Sequence, residues 1–515
     1  MAKKLSELIL NMGEIGLASC LIDLSFYHHE IQSVVLNSKE VKPSALFVGL
    51  QGSNNHGAAY LNEAIKNGAS AAFIETDNSS LSLSFVGNFP VFYIFKLREK
   101  LGSLASYFYD SPSKKIKVIG ITGTNGKTTC AYWLSQMLAL LDIKAEMIGT
   151  LGLGAWNNLS HTANTTPDAL CLQRFFSEAL LRNITHIAME VSSHGIELGR
   201  IANTQFEVAV FTNLTQDHLD FHGNMENYAK AKEKLFFLPH LNKVVLNLDD
   251  ALGLKLASDA RMLAKKRIFY SLINSEADIF IKQKKVDAQG TLVQGTVFGA
   301  EFSCHLPVWG NYNISNFCAV LGTLLLLDFP LSSLMGTVEK ILPPPGRLQC
   351  VLSEPLVFID YAHTPDSLEK VLKTLREIAA GKVICVFGCG GNRDQTKRGV
   401  MGKIAALNAD NVILTDDNPR FESSDIIINA ILAGISVFVP EALSCVTIEP
   451  NRKKAILIAM KAAKPSDIIL IAGKGHETYQ EIQGIKYPYS DENSVRDALF
   501  LIKGSAAEVT ASKGF

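Results

Sequence analysis

The segment Lys117–Thr129, KVIGITGTNGKTT, constrains this chain more than any other. A short apolar, β-favouring run enters a turn of small residues, and Lys-Thr-Thr then opens a helical pattern, CAYWLSQML. A buried strand, a glycine-bearing turn and a helix N-terminus, in that order, aim backbone N–H groups and a helix dipole at an anion. The spacing departs from the usual phosphate loop, because the residue five places before Gly126 is Ile121 and the glycines flanking the turn are Gly120 and Gly123. Gly123, Thr124, Asn125, Gly126, Lys127, Thr128 and Thr129 are the candidate ATP-binding residues, with Lys127 reaching the terminal phosphates and Thr128 holding Mg²⁺. A ligand-free glycine turn does not explain Lys-Thr directly after the second glycine. No Asn-Lys-x-Asp element for guanine is present, which argues against a GTPase switch.

A chain of 515 residues exceeds one ordinary core and suggests about three domains. Asp110–Lys115 (DSPSKK) and Leu342–Arg347 (LPPPGR) read as linkers, since neither helix nor central strand tolerates the proline run. The expected division is 1–110; 111–344, a central domain with the P-loop; 345–503, a Rossmann-like domain; and 504–515, a disordered tail. SALFVGL, AAFIE and VFYIF are strand-like in the first part. KVIGIT, HIAMEV, VAVFTN and KVVLNL are so in the second, and LVFIDYA, KVICVFG, NVILTDD and DIILIAG in the third. Apolar strands alternating with helices predict an α/β protein of mainly parallel or mixed sheets, with ligands beyond the carboxyl ends of the strands.

Forty-nine basic against fifty acidic side chains give no electrostatic footprint of a nucleic-acid binder. Nine scattered cysteines without a Cys-x-x-Cys pair fit reduced thiols and a cytoplasmic location. The N-terminal stretch through Leu17-Ala18-Ser19-Cys20 looks briefly like a lipid-attachment signal, but Glu7, Asn11 and Glu14 interrupt it, so an amphipathic helix is expected. No run is apolar enough for a membrane span.

An ATPase of this type needs acids at neighbouring strand ends. Glu190 follows HIAM, while Asp217 and His218 lie beyond VAVF, which makes Glu190 and His218 candidate metal ligands. With these residues in place, GTNGKTT, NTTPD (164–168), MEVSSHGIELGR (189–200), TNLTQDHLDFHGNMENYAKAK (212–232), GRLQ (346–349), DYAHTPDSL (360–368), GCGGNRDQTKR (388–398), DNPR (417–420) and GKGHE (473–477) form an ordered series over nearly the whole chain. The series resembles that of the Mur ligases, and within them the ligases that add the third residue to UDP-N-acetylmuramoyl-L-alanyl-D-glutamate.

The resemblance implies that ATP phosphorylates the γ-carboxylate of D-glutamate and that an incoming amine attacks the acyl phosphate. It implies catalytic roles for Lys127, His218 and Lys232. Lys232, aligned through Tyr228, would carry a carbamate (N6-carboxylysine) and join Thr128, Glu190 and His218 around magnesium. Lys230 and Lys234 are nearby alternatives. Asn164, Thr165, Thr166, Ser192 and Arg200 would contact the muramoyl-peptide, although capping of the following helix also suits Thr165 or Thr166. Asn313 and Asn316 would lie at the adenine side of ATP, unless they are ordinary loop asparagines; Arg347 and Asp360 would face ATP from the third domain.

The DNPR stretch resembles the signature of ligases that choose meso-diaminopimelate. Arg420 would grip the distal carboxylate with a bidentate fork, assisted by Arg393, beside Asp417, Asn418 and Pro419. Gly473 and Glu477 would mark the far ammonium end. The first domain follows the family less closely, with Asn37-Ser38-Lys39 in place of Asp-Ser-Arg and His56 where an aspartate is usual; Asn37 and Ser38 are the expected uridine-diphosphate contacts. A monomer acting on small molecules is expected. Folylpolyglutamate synthetase is the alternative enzyme, and an ATP-gated binding protein without turnover the alternative outside catalysis.

Overall fold

The computed structural model describes residues 2–11, 29–52, 55–79, 82–287 and 289–511. Leu5–Asn11 is helical; residues 12–28, including Cys20 and the rest of the signal-like stretch, lie outside the described residues. The chain packs as two units, Met1–Phe280 with Cys318–Thr337, and Ile281–Phe317 with Val338–Phe515. Three main sheets, of five, eleven and six strands, fall within residues 1–110, 111–344 and 345–503 respectively.

The expected strands all form, because each is a run of apolar residues that parallel pairing buries on both faces. In the eleven-stranded sheet, the strand Lys117–Thr122 sits between His186–Glu190 and Val208–Phe211, parallel to both. The glycine turn, Glu190 and the Thr212–His218 stretch therefore leave the sheet along the same edge. The helix Lys127–Leu140 is more deeply placed than the expected amphipathic one: every residue from Thr128 to Leu138 is buried. Contact with the strands Ala145–Gly149, His186–Glu190 and Lys117–Thr122 leaves little of it for water.

Antiparallel additions at the sheet margins carry no continuous apolar run and went unread. They include the hairpin Gly290–Val297/Ala300–Leu306 at the end of the eleven-stranded sheet, while Tyr479–Ile482/Ile485–Pro488 forms a two-stranded sheet of its own. In the second unit the parallel strands Leu356–Asp360, Ile468–Ala472, Val383–Phe387, Asn411–Leu414 and Val446–Ile448 form the Rossmann-like sheet, edged by antiparallel Gln349–Ser353. A fully buried Arg452–Asp491 pair, bonded Nε to Oδ1 and Nη2 to Oδ2 at 2.8 Å each, ties helix Arg452–Ala462 to the start of the last helix. That last helix spans Asp491–Ala511.

Candidate functional site

The phosphate turn is built on two glycines that no other residue replaces. A Cβ on Gly123 (φ 150°) would overlap Thr212 Oγ1, and Gly126 (φ 87°) takes the left-handed conformation that starts helix Lys127–Leu140. The turn is fastened to the neighbouring strand end: Thr124 N–H donates to Asn213 O at 2.8 Å and Asn125 N–H to Asn213 Oδ1 at 3.0 Å. Thr124 Oγ1 lies 3.2 Å from the buried Tyr228 hydroxyl.

Two lysines converge on this turn. Lys127 Nζ donates to Gly123 O at 2.8 Å and Thr124 O at 2.7 Å, and Lys232 Nζ donates to Gly123 O at 2.8 Å. Lys232 is 1 % exposed, and burial together with the nearby Lys127 charge holds its amine well below the usual lysine range. Its ammonium also faces the Tyr228 ring at 4.3 Å. Lys230 and Lys234, the alternatives, point instead to exposed partners, Glu226 and Glu197.

Glu190, 1 % exposed, accepts from Thr128 Oγ1 at 3.0 Å and from Thr150 N–H at 2.8 Å. A carboxylate and a hydroxyl oxygen thus stand together beside the turn, the donor types a hard cation such as Mg²⁺ prefers. His218 sits at left-handed φ 53°, 3.4 Å from Asp217 and edge-on to His194 at 4.7 Å between ring centroids; burial lowers its pKa against the opposing pull of Asp217. Among the described residues no group of three or more His, Cys, Asp or Glu forms a metal cluster.

Thr165, Thr166, Ser192 and Arg200 gather alongside. Thr166 Oγ1 donates toward Glu190 O at 2.9 Å and accepts from Ser192 N–H at 3.0 Å; Arg200 Nη1 donates to Thr166 O at 2.9 Å. Thr165 Oγ1 meets Thr150 Oγ1 at 3.0 Å. Asp168, not a threonine, caps helix Ala169–Leu181, which removes the capping explanation for Thr165 and Thr166. Ser192 does cap its own short helix, and Asn164 is exposed.

In the five-stranded sheet the nucleotide-side candidates are occupied locally. Asn37 caps the turn Ser38–Glu40, and buried Ser38 donates to Glu63 at 2.5 Å. His56 caps the turn Gly57–Tyr60: Nδ1 accepts from Ala58 N–H and Nε2 donates to Glu75 O, at 3.0 Å each. Both bonds require the Nε2–H tautomer.

The second unit holds the remaining candidates. Asn313 and Asn316 are buried in helix Asn311–Leu326 rather than on a loop. Asp360 accepts from Leu348 N–H at 2.6 Å and Ala362 N–H at 2.7 Å; burial pushes its carboxyl up to about 6 despite Arg347. Arg347 stacks on Tyr361 at 4.8 Å and its buried Nε has no hydrogen-bond partner among the described residues. Around DNPR, Asn418 Oδ1 accepts from Lys474 Nζ at 3.0 Å and its Nδ2 donates to Glu477 Oε2 at 2.9 Å; Lys474 also reaches Glu477 at 2.7 Å. Gly473 (φ 112°) admits Asp417, whose carboxyl a Cβ there would strike. Arg420 Nη1 donates to Gly391 O at 2.8 Å and Nε to Glu481 at 3.2 Å. Arg393 is exposed and in no hydrogen bond or ion pair among the described residues.

The comparisons with known proteins follow this geometry along the chain. Residues 30–109 match the Mur ligase family catalytic domain, 121–324 the Mur ligase middle domain, and 346–475 the Mur ligase glutamate ligase domain. The chain belongs to the Mur ligase family. It is 40 % identical over 472 residues to the UDP-N-acetylmuramoyl-L-alanyl-D-glutamate–2,6-diaminopimelate ligase of Pseudomonas aeruginosa, covering 91 % of this chain and 95 % of that one. It is also 40 % identical over 481 residues to the ligase of the same name from Coxiella burnetii, covering 91 % and 96 %. A solved structure of a ligase of that name superposes with TM-score 0.70 at 32 % identity, over 98 % of this chain and 100 % of the other.

Several residues of this Mur ligase site escaped the sequence reading. Thr150 and Asn213 sit just past apolar strands, where position alone could have flagged them. Lys474 lies inside GKGHE between two expected residues, whereas Glu481 carries no motif at all.

Proposed function

We propose that this chain is the ADP-forming ligase that joins meso-diaminopimelate to the D-glutamate γ-carboxylate of UDP-N-acetylmuramoyl-L-alanyl-D-glutamate in peptidoglycan precursor synthesis. The observation that carries the reading is near full-length similarity to proteins named as ligases of that activity, supported by Arg420 of DNPR being held by Glu481 and Gly391. ATP and a nucleotide-linked sugar are cytoplasmic substrates, which supports that location. No helix among the described residues is long and apolar enough to cross a membrane. The chain is taken to act as a monomer.

The chemistry brings anions together. Lys127, now bonded to its own loop carbonyls, transfers those bonds to the ATP phosphates and stabilises charge as the γ-carboxylate oxygen attacks phosphorus and ADP leaves. Mg²⁺, when bound by Thr128, Glu190, His218 and carbamylated Lys232, adds positive charge at the phosphates. The carbamate reading is supported by the burial of Lys232 beside Lys127, which favours loss of the ammonium proton, since the free amine is the form that adds to CO₂. Thr165, Thr166, Ser192 and Arg200 orient the muramoyl-peptide, and Asn313, Asn316, Arg347 and Asp360 serve ATP. Asn37 and Ser38, though locally bonded, are proposed near the uridine diphosphate through their backbone and remaining polar atoms. The amine of diaminopimelate then attacks the acyl carbon and phosphate departs, with orientation supplying an effective concentration of ~10⁵ M or more.

Asp417, Asn418, Pro419, Gly473 and Glu477 line the diaminopimelate site, with Arg420 and the exposed Arg393 for its far carboxylate. Phosphate release with ATP, Mg²⁺ and UDP-N-acetylmuramoyl-L-Ala-D-Glu should require diaminopimelate and not proceed with L-lysine. Release with lysine keeps a ligase but overturns the assignment of Arg420; release with neither overturns the reading.

A further inference from the structure

The Arg420 guanidinium is not free to aim itself. Its residue sits at left-handed φ 52°, unusual for a side chain of this size, and the backbone is held there by the hairpin Tyr479–Ile482/Ile485–Pro488. Arg420 N–H donates to Glu481 O at 3.0 Å and Gln483 N–H to Arg420 O at 2.7 Å. Glu481 N–H donates to Asn418 Oδ1 at 2.9 Å, and Gln480 Nε2 to Asp417 O at 2.9 Å. One hairpin strand thus stitches DNPR from end to end.

On the side chain, Glu481 takes Nε and Gly391 O takes Nη1, while Nη2 makes no hydrogen bond among the described residues. Gly390 makes room for this placement: a Cβ there would lie 3.0 Å from Nη1. Both side chains of the pair are about one-fifth exposed, 20 % for Arg420 and 21 % for Glu481, so the contact is partly shielded from water. The opposite side of the loop is fixed as well. Buried Arg398 grips Glu422 at 2.6 and 2.8 Å, and Glu422 accepts from Asn392 N–H at 3.0 Å.

We propose that Glu481 is a positioning residue for diaminopimelate specificity: it holds the Nε edge of Arg420, so that Nη2 and the outer hydrogen of Nη1 meet the distal carboxylate as a preformed fork. The inference rests on the functional reading above. Without Glu481 the guanidinium would rotate among rotamers and surrender that pre-organisation at each binding event. A carboxylate contributed by the protein also keeps the arginine charge compensated before substrate arrives. Glu481 bonds Arg420 and Asn418 of DNPR, so its influence belongs to amino-acid capture and not to phosphoryl transfer.

The test is steady-state kinetics of the full chain as parent, Glu481→Ala, Glu481→Gln, Arg420→Ala and the Arg420/Glu481 double alanine variant. Glu481→Ala should raise KM for diaminopimelate at least about tenfold, with kcat and the KM values for ATP and the UDP-dipeptide within about twofold. Glu481→Gln keeps an acceptor for Nε and should recover most of the loss. Adding Glu481→Ala to Arg420→Ala should cost little more, because the two residues act as a unit. Unchanged KM in Glu481→Ala, no recovery by glutamine, or fully additive losses would each overturn the inference while leaving the ligase reading intact. A parent enzyme with no diaminopimelate-dependent turnover overturns the functional reading and this inference together.

Discussion

Arg420→Ala lowers kcat/KM for diaminopimelate by about 10²–10³, while ATP affinity stays within about twofold of the parent. The size follows from removing one member of a charge-assisted pair in a partly shielded site, a loss of ~2–5 kcal/mol. Among the described residues the guanidinium is bonded to Gly391 O and Glu481, both in the second unit, whereas the phosphate turn belongs to the first. Competition between diaminopimelate and lysine for the variant should also weaken, since the group that distinguishes them has lost its partner. Calorimetric titration with an ATP analogue and steady-state kinetics measure the two halves of this expectation. A variant that keeps parental diaminopimelate kinetics contradicts it.

Lys127→Met removes nearly all turnover, with kcat down by at least about 10³, because a positioned charge acting where negative charge develops supplies several kcal/mol. Folding should be preserved. Lys127 Nζ donates to the carbonyls of Gly123 and Thr124, and the turn is also held by Asn213 and Tyr228. Thermal melting of the ligand-free variant therefore stays near that of the parent, and retained turnover would show that the phosphates sit elsewhere.

Much of this architecture was legible in the sequence where burial writes a simple pattern. KVIGIT is a central strand at the expected residues because it is apolar throughout, and Gly123 and Gly126 signal a turn whose contacts exclude side chains. Glu190 was readable for the same reason, as the first acid after a buried run. The rest depends on long-range contacts. The hairpin at 479–488 is partly exposed and polar, so neither its pairing with DNPR nor the hold of Glu481 on Arg420 leaves a periodicity. Likewise, burial of helix Lys127–Leu140 from Thr128 to Leu138 follows from its position against three strands, while its sequence, with Ser135 and Gln136, suggests one wet face. His56 could be seen to replace an aspartate, but only the structure shows imidazole Nδ1 doing the capping.

The central claim is that an acyl phosphate on the D-glutamate γ-carboxylate is captured by the amine of diaminopimelate. Its most direct test uses UDP-N-acetylmuramoyl-L-Ala-D-Glu carrying heavy oxygen in that carboxylate, with ATP, Mg²⁺ and diaminopimelate, followed by mass analysis of both products. The account predicts one labelled oxygen in the released phosphate and the other retained in the new amide of a UDP-linked tripeptide. Unlabelled phosphate, or phosphate release without the tripeptide, would contradict it.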